Sequence, residues 1–194
     1  MGLAVMILGL AVFIGTHVFT TRRKARADLI HRIGEGGYKG LYSVLALIGL
    51  VLVVYGFAQY RATGWIEIWS PPAWTRHLAA LLVLIAIICI VAAYSRGHIQ
   101  RVLKHPMLVG VKLWATAHLI ANGDLGSIIL FGSILGWAVF DRISLKRRTD
   151  PGAPPLPAGG WPRDAVAVIG GLALYLALGL WFHPYVIGVP AFAG

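Results

Sequence analysis

The sequence predicts an all-α integral membrane protein with six transmembrane helices and both termini on the periplasmic side, folded as a single domain over residues 1–194. Three observations predict it. First, 58% of the residues are hydrophobic and only 12% are charged, with a mean hydropathy of +0.78. A soluble domain carries about 25% charged residues, so this chain cannot clothe a soluble globule in polar surface. Second, six nearly charge-free runs recur along it. Third, the basic residues collect between alternate pairs of those runs.

The runs are Leu3–Phe19, Leu41–Phe57, Leu78–Ala93, Pro106–Ile120, Leu125–Phe140 and Ala165–Trp181. With their uncharged flanks they give spans at about 3–21, 41–58, 74–94, 106–121, 125–141 and 165–183. A helix needs roughly 17–25 residues to cross the hydrocarbon. Backbone groups in lipid must be satisfied within the segment, and no run alternates as a barrel strand does, so each run reads as a helix. The fourth and fifth are short and joined by Asn122-Gly123-Asp124, a turn signal. They read as a tight helical hairpin, with a re-entrant pair as the alternative.

Charge sets the orientation. Arg22, Arg23, Lys24, Arg26, Arg32 and Lys39 follow the first run. Arg96, Arg101 and Lys104 follow the third, and Arg142, Lys146, Arg147, Arg148 and Arg163 follow the fifth. Only Arg61 and Arg76 lie on the other side, fourteen against two. The positive-inside rule then places the three basic segments in the cytoplasm and both termini on the outer side. The net charge of +10 is thereby a topology determinant facing anionic lipid. A nucleic-acid partner is excluded, because it needs one contiguous basic face.

The remaining segments read simply. The first run carries no positive residue before it, so it is not a signal peptide. Met6 stands where N-myristoylation requires Ser or Thr. Trp65, Trp69 and Trp74 form an interfacial belt. Arg142–Pro162, with Pro151, Pro154, Pro155, Pro157 and Pro162, reads as a non-helical linker.

Chemistry-bearing residues are few. The seven acids lie in or beside loops, and no span holds a carboxylate pair. This excludes a carboxylate proton relay and a di-metal carboxylate centre. Cys89 is the sole cysteine, so disulfides and Cys-rich metal sites are excluded. Histidines remain: His17, His31, His77, His98, His105, His118 and His183. Each has a bland reading as a packed, hydrogen-bonded ring at a helix end. As a set they are good ligands for iron, copper or zinc, and bis-imidazole haem b is the most economical site. Gly9, Gly15 and Gly110 would let helices approach a flat macrocycle, or simply each other.

Spacing limits the pairings. His105 and His118 are 13 residues apart, which turns them about 220° from one another and about 20 Å apart along a helix, so one haem cannot use both. Depth in the membrane pairs His17 with His105, and His118 with His183. Lys112 shares the face of His105, seven residues on. It either snorkels or meets a propionate.

The chain resembles the NnrU family, membrane proteins associated with bacterial denitrification and nitric-oxide metabolism. Three blocks carry the resemblance. They are Gly15-Thr16-His17 with the basic cluster and Gly34–Tyr42; Lys104-His105-Pro106 with Val109-Gly110, Trp114, Ala117-His118 and Asn122-Gly123-Asp124; and Phe182-His183-Pro184. That family is similar to plant zeta-carotene isomerase, a haem b membrane enzyme. The resemblance implies haem b held by His17 and His118, with His105, Lys112 and Trp114 as further candidate cofactor contacts. The isomerase has a cysteine shortly before its second histidine. Ala115 stands there in this chain, a departure from thiolate ligation. The His-Pro motif also resembles membrane methyltransferases, but the acidic pair that usually follows it is missing.

Three functions are therefore expected in order. The first is a haem b protein of the NnrU type. The second is a haem-dependent cis–trans isomerase acting on a polyene or other apolar small molecule. The third is a membrane assembly factor without a cofactor. The lipid bilayer is the common partner.

Overall fold

The computed structural model describes residues 1–148 and 159–192. The described residues form helices and no strand, apart from an isolated antiparallel bridge between Glu67 and Asp124. In chain order the helices are α1 (Gly2–Phe19), α2 (Arg23–Thr63), α3 (Trp74–Ser95), α4 (His98–Leu103), α5 (Pro106–Ala121), α6 (Leu125–Lys146) and α7 (Trp161–Ala177). The last continues as a π-helix over Leu178–Ile187. Five of these are long and apolar enough to cross a membrane: α1, α2, α3, α6 and Trp161–Ile187. α5 is apolar but has 16 residues. It is about 24 Å long against a hydrocarbon core of about 30 Å.

Two expectations are corrected. The basic segment after the first run is not a loop, because α2 already begins at Arg23. Gly34, at φ +77°, breaks α2 into a basic arm and a long apolar arm, a backbone conformation that only glycine adopts without strain. The expected linker is helical at both ends. α6 runs on to Lys146, and Pro162 opens α7 instead of forbidding it, since a first-turn proline has no intrahelical N–H to lose. Pro151, Pro154, Pro155 and Pro157 lie outside the described residues. Asn122–Asp124 separates two helices, α5 and α6, which belong to two different compact units.

The first unit holds residues 1–70 and 123–147. α1 lies antiparallel against α2 through glycines seven residues apart on each helix. Gly9 abuts Val53 and Gly49, and Gly49 abuts Phe13. Gly2 abuts Tyr60 and Gly56, and Gly56 abuts Met6. A Cβ on Gly9 would stand 2.6 Å from the Val53 nitrogen, and one on Gly49 2.7 Å from the Phe13 nitrogen. Lipid offers no hydrophobic drive between helices, so close backbone approach supplies the attraction. Beyond Tyr60 the chain is tied to the start of α6. Ile68 and Trp69 donate backbone N–H groups to the Gly123 carbonyl at 2.9 and 3.1 Å, and Leu125 donates to Ile66 at 2.9 Å. Asp124 caps α6 by accepting from the Ser127 N–H at 2.9 Å. The start of α1, the end of α2 and the start of α6 thus share one end of this unit. Trp65 and Trp69 beside them are exposed, as an interfacial belt requires.

The second unit holds residues 71–122 and 148–194. α3 packs on α5 where Gly110 meets Ala86 and Ile90, and on α7 where Gly171 meets Ile88. Ala86, Ala92, Ala115, Ala117 and Ala167 are fully buried, so small side chains make this core. Gly9 and Gly110 therefore serve helix packing, whereas Gly15 has nothing within 4 Å.

Gly49→Val and Gly56→Val should each destabilise the α1–α2 contact by at least about 1–3 kcal/mol, the usual cost of overpacking. Gly15→Ala should be neutral. Thermal unfolding in detergent, followed by helix circular dichroism, checks both; equal effects at Gly15 and Gly49 would contradict a glycine-mediated α1–α2 contact.

Candidate functional site

His17 sits in the last turn of α1. Its Nδ1 is 2.7 Å from the carbonyl of Phe13, four residues back. A carbonyl only accepts, so Nδ1 must carry the proton and the lone pair of the neutral ring falls on Nε2. Phe13 lies against the ring at 4.3 Å between centroids. Tyr42 of α2 meets it at 5.4 Å, and Trp137 of α6 edge-on at 5.1 Å. Three helices of one unit thus converge on this imidazole. The Trp137 Nε1–H is buried and has no acceptor. An unmet buried donor costs about 1–3 kcal/mol, so it marks a place where an acceptor is wanted.

His118 sits in the last turn of α5 and repeats the device. Its Nδ1 is 2.8 Å from the carbonyl of Trp114, again four residues back, and the Trp114 ring lies 4.9 Å away. The lone pair again falls on Nε2. His183, in the π-helical turn that contains Pro184, faces His118 with ring centroids 6.3 Å apart. His183 itself has Nδ1 at 3.2 Å from the Val189 carbonyl. Depth along the sequence pairs these two histidines, and the structure brings them together within one unit. The same depth argument pairs His17 with His105. His105 is the N-cap of α5. Lys112 and Trp114 follow on the same helix, and only Trp114 is against the His118 ring.

Among the described residues no three His, Cys, Asp or Glu side chains cluster as metal ligands. Cys89 is buried on α3 as a free thiol. A protein-only zinc cage needs three or four ligands, so paired imidazoles suit a metal that arrives with its own equatorial donors. Each of the two imidazoles is oriented within its own unit, and the buried Trp137 indole donor stands beside His17.

Two further constellations are not apparent from the sequence. The first is on α4 and α7. Asp164 accepts from His98 Nδ1 at 2.8 Å and from the Ile99 N–H at 3.0 Å, so α7 supplies the cap that α4 lacks. Gly97 makes room, since a Cβ there would run into the Asp164 carboxylate. Trp161 covers the His98 ring at 5.2 Å. Sixty-six residues separate the pair, and the sequence signal is only a glycine before a histidine. The second is an apolar groove of about 290 Å³ where α1 meets both arms of α2, walled by Thr16, Phe19, Leu29, Tyr38, Leu41 and Leu45. Tyr42, which touches His17, also lines it.

The fold and these sites define a helical membrane protein with oriented histidines near helix ends. The family model described as NnrU protein matches residues 5–191. The chain belongs to the NnrU family. No curated protein and no solved structure matches it significantly.

Gly97→Ala should unseat Asp164 and lower the midpoint of thermal unfolding. Asp164→Asn should do so less, because an amide oxygen still accepts from the Ile99 N–H. A Gly97→Ala variant as stable as the parent would show that α4 does not depend on this cap.

Proposed function

We propose that this protein is a haem b protein of the bacterial inner membrane, acting in nitric-oxide or denitrification metabolism, with His17 and His118, each oriented within its own unit, as the candidate residues to hold the haem. One observation carries the reading. The two histidines named by the family resemblance share one orienting device: an Nδ1–H donated to the carbonyl four residues back, with that residue's aromatic ring against the imidazole. Metal-bound histidines are oriented in this way, by a backbone carbonyl that fixes the tautomer and raises ligand basicity. Bound there, haem would supply one-electron and diatomic-gas chemistry. The chain's own part is to fix the imidazole planes, to exclude water with Phe13, Trp114 and Trp137, and to offer the Trp137 indole N–H.

Six spans with both ends periplasmic complete the proposal, α5 being the shortest. In the first unit the basic end carries Arg22, Arg23, Lys24, Arg26, Arg142, Lys146 and Arg147, while Arg61 lies toward the other. That distribution supports the orientation.

The isomerase reading is favoured by the apolar groove that shares Tyr42 with His17. A polyene fits its wall. In that reading the double bond changes geometry with no net redox change.

The optical spectrum of protein purified after haem-replete expression tests the proposal. A Soret band of a six-coordinate low-spin haem is expected, lost or converted to five-coordinate in His17→Ala and in His118→Ala. No Soret band would remove both haem readings and leave the cofactor-free assembly factor. A normal spectrum in His17→Ala with loss in His183→Ala would assign the pair to His118 and His183. Conversion of a poly-cis carotene in a carotenoid-free host would select the isomerase.

A further inference from the structure

We propose that the groove at the elbow of α2 is a binding site for an acidic phospholipid, its phosphate held by Arg26 and Tyr38. The site is built by the break at Gly34, which folds the basic arm of α2 back toward α1. Leu29 comes from the basic arm, Leu41 and Leu45 from the apolar arm, and Phe19 from α1. These four apolar side chains wall a channel fit for an acyl chain.

The polar end is as definite. Tyr38 is 7% exposed, and its hydroxyl is buried with no hydrogen-bond partner. The other hydroxyl on this wall, Thr16, already donates to the Val12 carbonyl at 2.7 Å. The Arg26 guanidinium lies over the Tyr38 ring, 5.3 Å from its centroid. The unmet phenol donor on the groove wall and the guanidinium over its ring are close enough to share one anion. The carboxylate nearest in sequence to Tyr38, Glu35, is paired with Lys39 at 2.8 Å and also feels the Arg26 charge, and Asp28 is the one acid on the arm before Gly34. Arg22, Arg23 and Lys24 precede Arg26, and the first turn of α2 holds no acid.

Charge complementarity therefore selects the occupant. A zwitterionic lipid would bring its own cation to a cationic end, whereas a phosphatidylglycerol brings a single uncompensated phosphate. Arg forks onto phosphate oxygens, and a phenol O–H adds a charge-assisted bond. A basic arm at the headgroup level is where such a lipid is found. This inference is independent of haem.

Native mass spectrometry of the full-length protein in detergent, titrated with phosphatidylglycerol or phosphatidylcholine of the same chains, tests it. One phosphatidylglycerol should be retained per chain, and phosphatidylcholine should not. Arg26→Gln should weaken retention at least about tenfold, and Tyr38→Phe several-fold. Arg32→Gln removes an exposed charge from the same arm outside the groove and should behave as the parent. Leu29→Trp, which fills the channel without changing charge, should also abolish retention, and it decides the matter if Arg26→Gln fails to fold. Equal retention of the two lipids, an Arg32→Gln loss as large as that of Arg26→Gln, or phosphatidylglycerol binding only in haem-free protein would overturn the proposal.

Discussion

The close approach of α1 to α2 is the constraint on which the first unit depends. Four glycines remove the side chains that would hold the two helices apart, and in lipid only contact at that range supplies enough dispersion and weak hydrogen bonding to fix a pair. The consequence runs along α1. Gly49 presses on Phe13, and the Phe13 carbonyl and ring hold His17. Tyr42 lies seven residues before Gly49 on α2, two turns back on the same face, and it meets the same imidazole. The orientation of the histidine is therefore inherited from glycines two turns away.

Much of this is legible in the sequence. Hydropathy locates the apolar part of every long helix to within a few residues, because a span is a composition signal before it is a structural one. The turn at Asn122–Asp124 is legible too, since Asp124 is an N-cap. What hydropathy does not show is the nature of the charged segments. The stretch from Arg23 to Ile33 is as basic as a loop, yet Leu29, Ile30 and Ile33 give it an apolar side and Gly34 ends it. Charge density speaks for a loop; periodicity and the glycine decide for a helix. Pro162 misleads in the same way, because proline forbids a helix only after its first turn.

The candidate site is legible by element and not by partner. A histidine in an apolar run is expensive enough to notice, and the rings of His118 and His183, at similar depth along the sequence, lie 6.3 Å apart. The residues that orient His17 are not legible, because Tyr42 and Trp137 look like any aromatic on an apolar span until the packing is known. The same holds for Asp164 and His98. A carboxylate at the start of one helix gives no sign that it caps another.

The device that orients His17 and His118 differs from the one that holds His98. In lipid a neutral imidazole must place one donor and one acceptor. Donating Nδ1–H to a carbonyl of its own helix settles the donor inside the segment and needs no neighbour. The acceptor nitrogen then has to be satisfied from outside, by a donor or by a metal. His98 resolves its chemistry the other way, with its Nδ1 on a carboxylate 66 residues distant and its role spent in tying α4 to α7. His17 and His118 each bond a carbonyl of their own helix, whereas His98 ties two helices together.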